Sequence, residues 1–161
     1  MLLEATDAHF AALIAGDALI TKDSLGGLTV AEGGVETPEV LAMLRALSDE
    51  VGDSFQPNAW LIVEDGEVVG LTSLVRTPYV GETVMIGYGV AASRRGRGIA
   101  TRAVAQLLTW ARTDHRVATV TAETAIDNVA SHRVLEANGF TRTGEREDED
   151  DGPLFCWSVG V

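Results

Sequence analysis

The spacing of apolar positions changes several times along the chain, and each change predicts an element. Phe10, Leu13 and Ile14 recur at helical spacing after Asp7, predicting a first helix behind a short N-terminal strand. A Gly-rich connection follows. Pro38, at a first-turn position, opens a second helix carrying Val40, Leu41, Leu44 and Leu47. Residues 60–63 and 67–75 flank Asp65-Gly66 and read as a β-hairpin, because that dipeptide supplies the positive φ angles of a tight turn. A strand over 82–90 precedes a helix whose apolar face is Ile99, Ala103, Leu107 and either Trp110 or Ala111. Residues 117–124 predict a further strand. Asn128 then caps a short helix, with Val134 and Leu135 turned inward and Gly139 at its C-terminal end. Strands over 140–143 and 154–159 flank an acidic loop. The order is strand, helices, three strands, helix, strand, helix, two strands, an α/β chain with a mixed sheet.

Length and composition narrow the classes. The 161 residues, with no internal repeat and no Pro- or Ser-rich linker, predict one domain over 1–161. Apolar residues at 46% and charged residues at 22% suit a packed core. No apolar run approaches the roughly 18 residues of a membrane span, and the first twenty residues carry Glu4, Asp7 and Asp17 without Lys or Arg. Neither membrane contact nor a signal peptide is expected. Cys156 is the single cysteine and His9, His115 and His132 lack metal-ligand spacing, so neither a disulfide nor a metal is expected, and the expected location is cytoplasmic.

The net charge of -12 is unevenly placed. Residues 1–81 hold 13 acids and 3 bases, residues 82–144 hold 5 and 8, and residues 145–161 hold 6 and 1. Arg94, Arg95, Arg97 and Arg102 lie close together, which suits a compact anionic ligand, while the acidic remainder repels nucleic acid.

The strongest chemical signal is Arg95-Gly96-Arg97-Gly98-Ile99-Ala100-Thr101, set between a strand and an amphipathic helix. Glycines permit close backbone approach, and the free N–H groups of a first helical turn, with the helix dipole, suit a pyrophosphate. Arginines add charge-assisted contacts. A P-loop needs Lys after its last glycine, where this chain has Ile99, and a dinucleotide fingerprint needs Gly or Ala where it has Thr101.

These residues resemble the GNAT superfamily of acyl-CoA-dependent N-acetyltransferases, whose cofactor motif is Arg/Gln-x-x-Gly-x-Gly/Ala; Arg95, Gly98 and Ala100 match it. A second stretch, from Asn128 through Ser131 to Gly139-Phe140, is similar to the family's Asn-x-x-Ser/Ala run ending in Gly-Phe. With Ile86-Gly87-Tyr88 upstream, the chain is most similar to the branch that includes ribosomal-protein N-terminal acetyltransferases. The resemblance implies a mixed, mostly antiparallel sheet of about six or seven strands with a splayed parallel pair, flanked by about four helices. It also implies acetyl-CoA as co-substrate, its pyrophosphate on Arg95, Gly96, Arg97, Gly98, Ile99, Ala100 and Thr101. Backbone groups of Val90, Ala91 and Ala92 would hold pantetheine and thioester, with Asn128 near the pantetheine arm. The acceptor would be a small-molecule amine or a peptide N-terminus, and a homodimer is left open.

Direct transfer needs a neutral amine, oxyanion stabilisation and a proton for the departing thiolate. Many family members carry a Tyr acid where this chain has Leu135. Ser131 resembles the Ser proposed for that role in the Asn-x-x-Ser branch; the alternative is that it only binds the cofactor or back-bonds within its helix. Glu123, the one acid inside the strand over 117–124, is the candidate base, the alternative being an outward-facing charge. The run from Glu145 to Asp151 could steer a cationic amine but reads more simply as a solvated loop. Two other classes stay in view: a non-catalytic acyl-CoA-binding module, suggested by Leu135, and a nucleotide-binding regulatory domain.

Overall fold

Asp65 and Gly66 both take left-handed φ angles, 49° and 79°, the two-residue turn that Asp-Gly predicts between strands β3 (Ala59–Glu64) and β4 (Glu67–Tyr79). The hairpin is the centre of a computed structural model that describes residues 1–17, 22–79 and 82–161. Residues 18–21 of the expected Gly-rich connection lie outside the described residues. Before the hairpin come β1 (Leu2–Glu4), α1 (Asp7–Ala15), β2 (Thr29–Val30) and α2 (Pro38–Gly52). After it come β5 (Thr83–Val90), a 3₁₀ turn at Ala92–Arg94, α3 (Ile99–Ala111), β6 (Thr119–Ala125), α4 (Val129–Ala137), β7 (Thr141–Asp148) and β8 (Gly152–Gly160).

The strands form one sheet in the order β1-β3-β4-β5-β6-β8-β7, with β2 pairing alongside β4. Most pairs are antiparallel; β5/β6 and the two-residue β2/β4 pair are parallel. This is the mixed, mostly antiparallel α/β sheet with a splayed parallel pair that the resemblance implies. Among the described residues eight strands stand where six or seven were expected, because β2 is too short to leave a period in the sequence.

Alternation sorts the side chains onto two faces. Trp60, Leu74, Val84, Ile86 and Val120 pack against Val104, Leu107 and Ala111 of α3 and Leu135 of α4. On the other face Leu61, Val63 and Leu71 pack against Phe10 and Leu13 of α1 and Leu41 of α2. Of the two expected apolar positions at the end of α3, Ala111 is fully buried, while Trp110 is half-buried with its ring centroid 4.8 Å from that of Trp60. Helix starts follow the sequence: Thr6 and His9 form a capping box on α1, and Thr37 caps α2 ahead of Pro38.

The acidic run departs from expectation. Residues 140–143 predicted a short strand and 145–151 a loop, yet β7 continues to Asp148. The consecutive charged residues Glu145 to Asp148 suit an exposed edge strand, whose unpaired backbone they protect from pairing with another chain. Only residues 149–151 form the turn, where Asp148 accepts from the N–H groups of Asp150 and Asp151 at 3.1 and 3.2 Å.

Candidate active site

The turn into α3 is built by two glycines in left-handed conformation, Gly96 (φ 75°) and Gly98 (φ 70°), on either side of Arg97. Gly98 is the N-cap of α3 and supplies no side chain, so no side-chain cap occupies the first-turn N–H groups of Ile99, Ala100 and Thr101. Ile99 itself is buried against Val90, Ala91 and Ala103, which fixes the helix end on the sheet. A positive helix end with open donors, beside exposed Arg95 and Arg97, is suited to a pyrophosphate.

The arginine cluster is less available than its sequence density suggests. Arg94 donates bidentately to Glu67, from Nε at 2.7 Å and Nη2 at 3.0 Å, and Arg102 pairs with Glu64. Two of the four cations are thus held by acids flanking the β3–β4 turn. Arg95 sends its Nε to the Val90 carbonyl at 3.0 Å and leaves the rest of its guanidinium exposed. An open cleft of about 430 Å³ runs beside the turn, with Arg94, Arg97 and Ile99 on one side and Glu64, Asp65 and Glu67 opposite.

From this turn the path leads to the splay. Strands β5 and β6 pair from Thr83/Thr119 to Ile86/Ala122 and then separate, although β5 continues to Val90 and β6 to Ala125. The β6-facing edge of residues 87–90 therefore has no strand partner. Two of the backbone groups expected to hold a ligand are already engaged: the Val90 carbonyl accepts from Arg95, and the Ala91 N–H donates to Val69 at 2.9 Å. The edge of β5 without a β6 partner begins earlier, after Ile86, and Ala92 opens the 3₁₀ turn with an exposed side chain.

Across the splay stands α4. Exposed Asn128 uses its side-chain oxygen to accept from the Ser131 N–H at 3.1 Å, so it acts first as a helix cap. Ser131 is half-buried on the first turn of α4. Leu135 is fully buried, so the position of the family Tyr is a core position here. A different phenol enters the site: the Tyr88 hydroxyl of β5 donates to the Ser131 carbonyl at 3.4 Å, and burial raises its pKa so that it keeps its proton at neutral pH. The alternation Val84, Ile86, Tyr88, Val90 along β5 is the sequence signal that puts Tyr88 on the α4 face. Asn138, at the far end of α4, donates to the Thr101 carbonyl at 3.2 Å and ties α4 to α3.

The opposite face carries Glu123. Both of its carboxylate oxygens accept from Arg146 of β7, at 2.7 Å each, and Arg146 reaches Asp148 at 2.8 Å. Glu123 is partly buried, and both of its carboxylate oxygens are held by Arg146. Sequence reasoning missed Arg146 because β8 separates the two strands. Cys156 is half-buried and sits directly opposite Glu123 on β8. His132 turns away from Ser131, with Nε2 3.1 Å from the Ala125 carbonyl and its ring on Phe155 and Trp157.

Residues 3–141 match the acetyltransferase (GNAT) domain, and the chain belongs to that family. It is similar to two Bacillus subtilis proteins. One is named an uncharacterized N-acetyltransferase, YjdG (32% identical over 85 residues, 52% of this chain and 51% of that protein). The other is named a putative ribosomal N-acetyltransferase, YdaF (32% over 87 residues, 54% and 48%). The chain spans about half the length of these relatives. Its fold also resembles the microcin C7 self-immunity acetyltransferase MccE, solved with acetyl-CoA and AMP, with a TM-score of 0.71 over 99% of this chain and 91% of that one at 17% identity. No helix among the described residues is long and apolar enough to cross a membrane.

Proposed function

We propose that the protein is an acetyl-CoA-dependent N-acetyltransferase that moves the acetyl group directly to a primary amine in a ternary complex. The observation that carries this reading is the end of the β5/β6 register at Ile86/Ala122, which opens a slot between the α3 N-terminus and both faces of the sheet. The cofactor would place its pyrophosphate on Arg95–Thr101, with Arg95 and Arg97 as its cations. Its pantetheine would run along the unpaired edge of β5, past Asn128. The thioester then lies in the slot with α4 on one side and the acceptor face on the other.

The chemistry asks for three things at that point. Backbone dipoles at the open edge of residues 87–90 stabilise the developing oxyanion. Ser131 delivers a proton to the departing thiolate, with Tyr88 adjacent as a second hydroxyl. Glu123 and Asp148, sharing the single cation Arg146, leave one net negative charge on the acceptor face. The acidic total favours a cationic acceptor, and a peptide N-terminus or a small amine both qualify. The relative named as a ribosomal N-acetyltransferase supports the peptide form.

Burial of Leu135 favours no silent binding module, because Tyr88 and Ser131 supply hydroxyls where the family Tyr is absent. The test is thiol release from acetyl-CoA over a panel of linear amines and peptides with free N-terminal Ala or Ser. Acceptor-dependent release is expected; acetyl-CoA binding with no release over the whole panel contradicts the transferase reading.

A further inference from the structure

Glu36 has no role in the site described so far, and its position is unusual for a carboxylate. It lies in the connection between β2 and α2, one residue before the N-cap Thr37. That connection is firmly placed. Ala31 is buried against Val90 and Ile99, Val35 is buried against the α1/α2 face, the Ala31 N–H donates to Val68, and Ser93 donates to the Glu32 carbonyl at 2.8 Å. Gly33 and Gly34, at φ 82° and 79°, turn the chain between these anchors. The Glu36 side chain is thereby laid across the end of β5. Its Oε1 would stand 3.0 Å from a Cβ on Gly89, so the carboxylate occupies the space that a side chain at 89 would take.

Gly89 and Gly87 belong to the face of β5 opposite Tyr88 and Val90, which point toward α4 and α3. Glu36 therefore reaches the open end of β5 from the side away from Ser131. Its carboxylate makes no hydrogen bond or ion pair with any described residue, and solvent reaches it, since no buried side-chain oxygen among the described residues lacks a partner. The other carboxylate placed on this face, Glu123, has both oxygens bound to Arg146. An unpaired, half-buried anion beside the slot, opposite the proton donor, is where a cationic nucleophile would be held.

We propose that Glu36 is the carboxylate that binds the acceptor ammonium and takes its proton, a role that rests on the acetyltransferase reading above. The ammonium gives one proton to Glu36, and the freed nitrogen lone pair attacks the thioester carbon. The new C–N bond forms as the C–S pair leaves on sulfur, which takes a proton from Ser131. The second nitrogen proton restores Ser131 and Glu36 returns its proton to water. The sum is ammonium plus acetyl-CoA giving amide, CoA thiol and one released proton. Glu36 and Ser131 then divide the two proton transfers between opposite faces of the sheet.

The test is an amide-resolved NMR titration of the protein saturated with CoA, using n-butylammonium chloride as the acceptor probe. Glu36→Gln removes the charge. Gly89→Ala keeps the charge but fills the space of the carboxylate, and Glu39→Gln, on the exposed first turn of α2, controls for net charge. Saturable shifts at Gly87 and Gly89 are expected in the wild type and in Glu39→Gln. Affinity should fall by at least about tenfold in Glu36→Gln, the loss of one charge-assisted contact, and should fall in Gly89→Ala as well. If CoA fails to move the amides of residues 95–101, the acetyl-CoA reading itself falls. If CoA moves them but the probe leaves Gly89 unmoved, or binds Glu36→Gln as tightly as wild type, the role of Glu36 is overturned while the acetyl-CoA site stands.

Discussion

Arg146 of β7 closes its Nε and Nη2 donors onto both oxygens of Glu123 of β6, at 2.7 Å each, reaching past the intervening strand β8. Hydrogen bonds to Glu123 first, and then to Asp148, hold the guanidinium above its ordinary pKa, so Arg146 stays charged across the working range. Arg146→Met leaves Glu123 and Asp148 without their cation. Because the pair is partly exposed, the loss of folding stability should be small and should shrink in high salt. Urea unfolding at two salt concentrations checks this, with acetyl-CoA affinity expected to hold, since the pyrophosphate turn is elsewhere. A salt-independent loss, or a large fall in cofactor affinity, would contradict the assignment.

The Tyr88 hydroxyl donates to the Ser131 carbonyl at 3.4 Å, so two hydroxyl-bearing residues meet at the first turn of α4, and the proposed reaction needs only one of them as acid. If Ser131 protonates the thiolate, Ser131→Ala should lower kcat by about 10²-fold or more with acetyl-CoA affinity nearly unchanged. Tyr88→Phe removes only a long contact to the Ser131 carbonyl and should cost less. Steady-state kinetics on both variants decides the matter, and a larger loss in Tyr88→Phe would transfer the role to the phenol.

The local features of this chain were legible because their causes are local. Asp65-Gly66 determines a turn by its own dihedral preferences, and the Gly98-to-Thr101 stretch announces a helix start with open donors within a few residues. Asn128 was read as a cap and is one. What escaped were pairings between distant segments. Glu67 and Glu64 each claim an arginine, from 27 and 38 residues away. Arg146 finds Glu123 from 23 residues away across β8. The acidic run read as a loop because charge alone does not show that an edge strand continues through it. Glu36 gave no sequence signal at all; it is set by two glycines and by the absence of a side chain at Gly89.

Asp114 tests the electrostatics away from the site. It accepts from the Arg116 side chain, through Nε at 2.9 Å and Nη2, and from the Arg116 backbone N–H at 3.0 Å. The guanidinium hydrogen bonds lower its carboxyl pKa from the ordinary 3.8 to about 2. A depressed folded-state pKa stabilises the fold above pH 3.8 and loses that contribution as pH falls through about 2. Asp114→Asn should therefore destabilise at pH 7, by no more than about 1 kcal/mol for so exposed a partner. The gap to wild type should close near pH 2, as read by urea unfolding. An equal gap at both pH values would show that the pair does not act through charge.

Gly98 joins fold and function in one residue. Its φ of 70° is left-handed, and a Cβ there would meet Arg102 Nη1 at 3.2 Å. Gly98→Val should cost about 1–2 kcal/mol of stability through backbone strain. It should also place a branched side chain where the pyrophosphate approaches, so cofactor affinity should fall well beyond the stability loss. Thermal melting with and without acetyl-CoA separates the two effects: the variant should melt lower, and added cofactor should raise its midpoint less than it does in wild type.

Everything proposed for the slot depends on acetyl-CoA occupying it. The most direct measurement is calorimetric titration of the purified protein with acetyl-CoA, with ATP and NAD as controls and Gly98→Val alongside. The account predicts one saturable acetyl-CoA site, greatly weakened in the variant, with ATP and NAD binding far less tightly. Absence of acetyl-CoA binding by the wild type, or equal affinity in the variant, would contradict it.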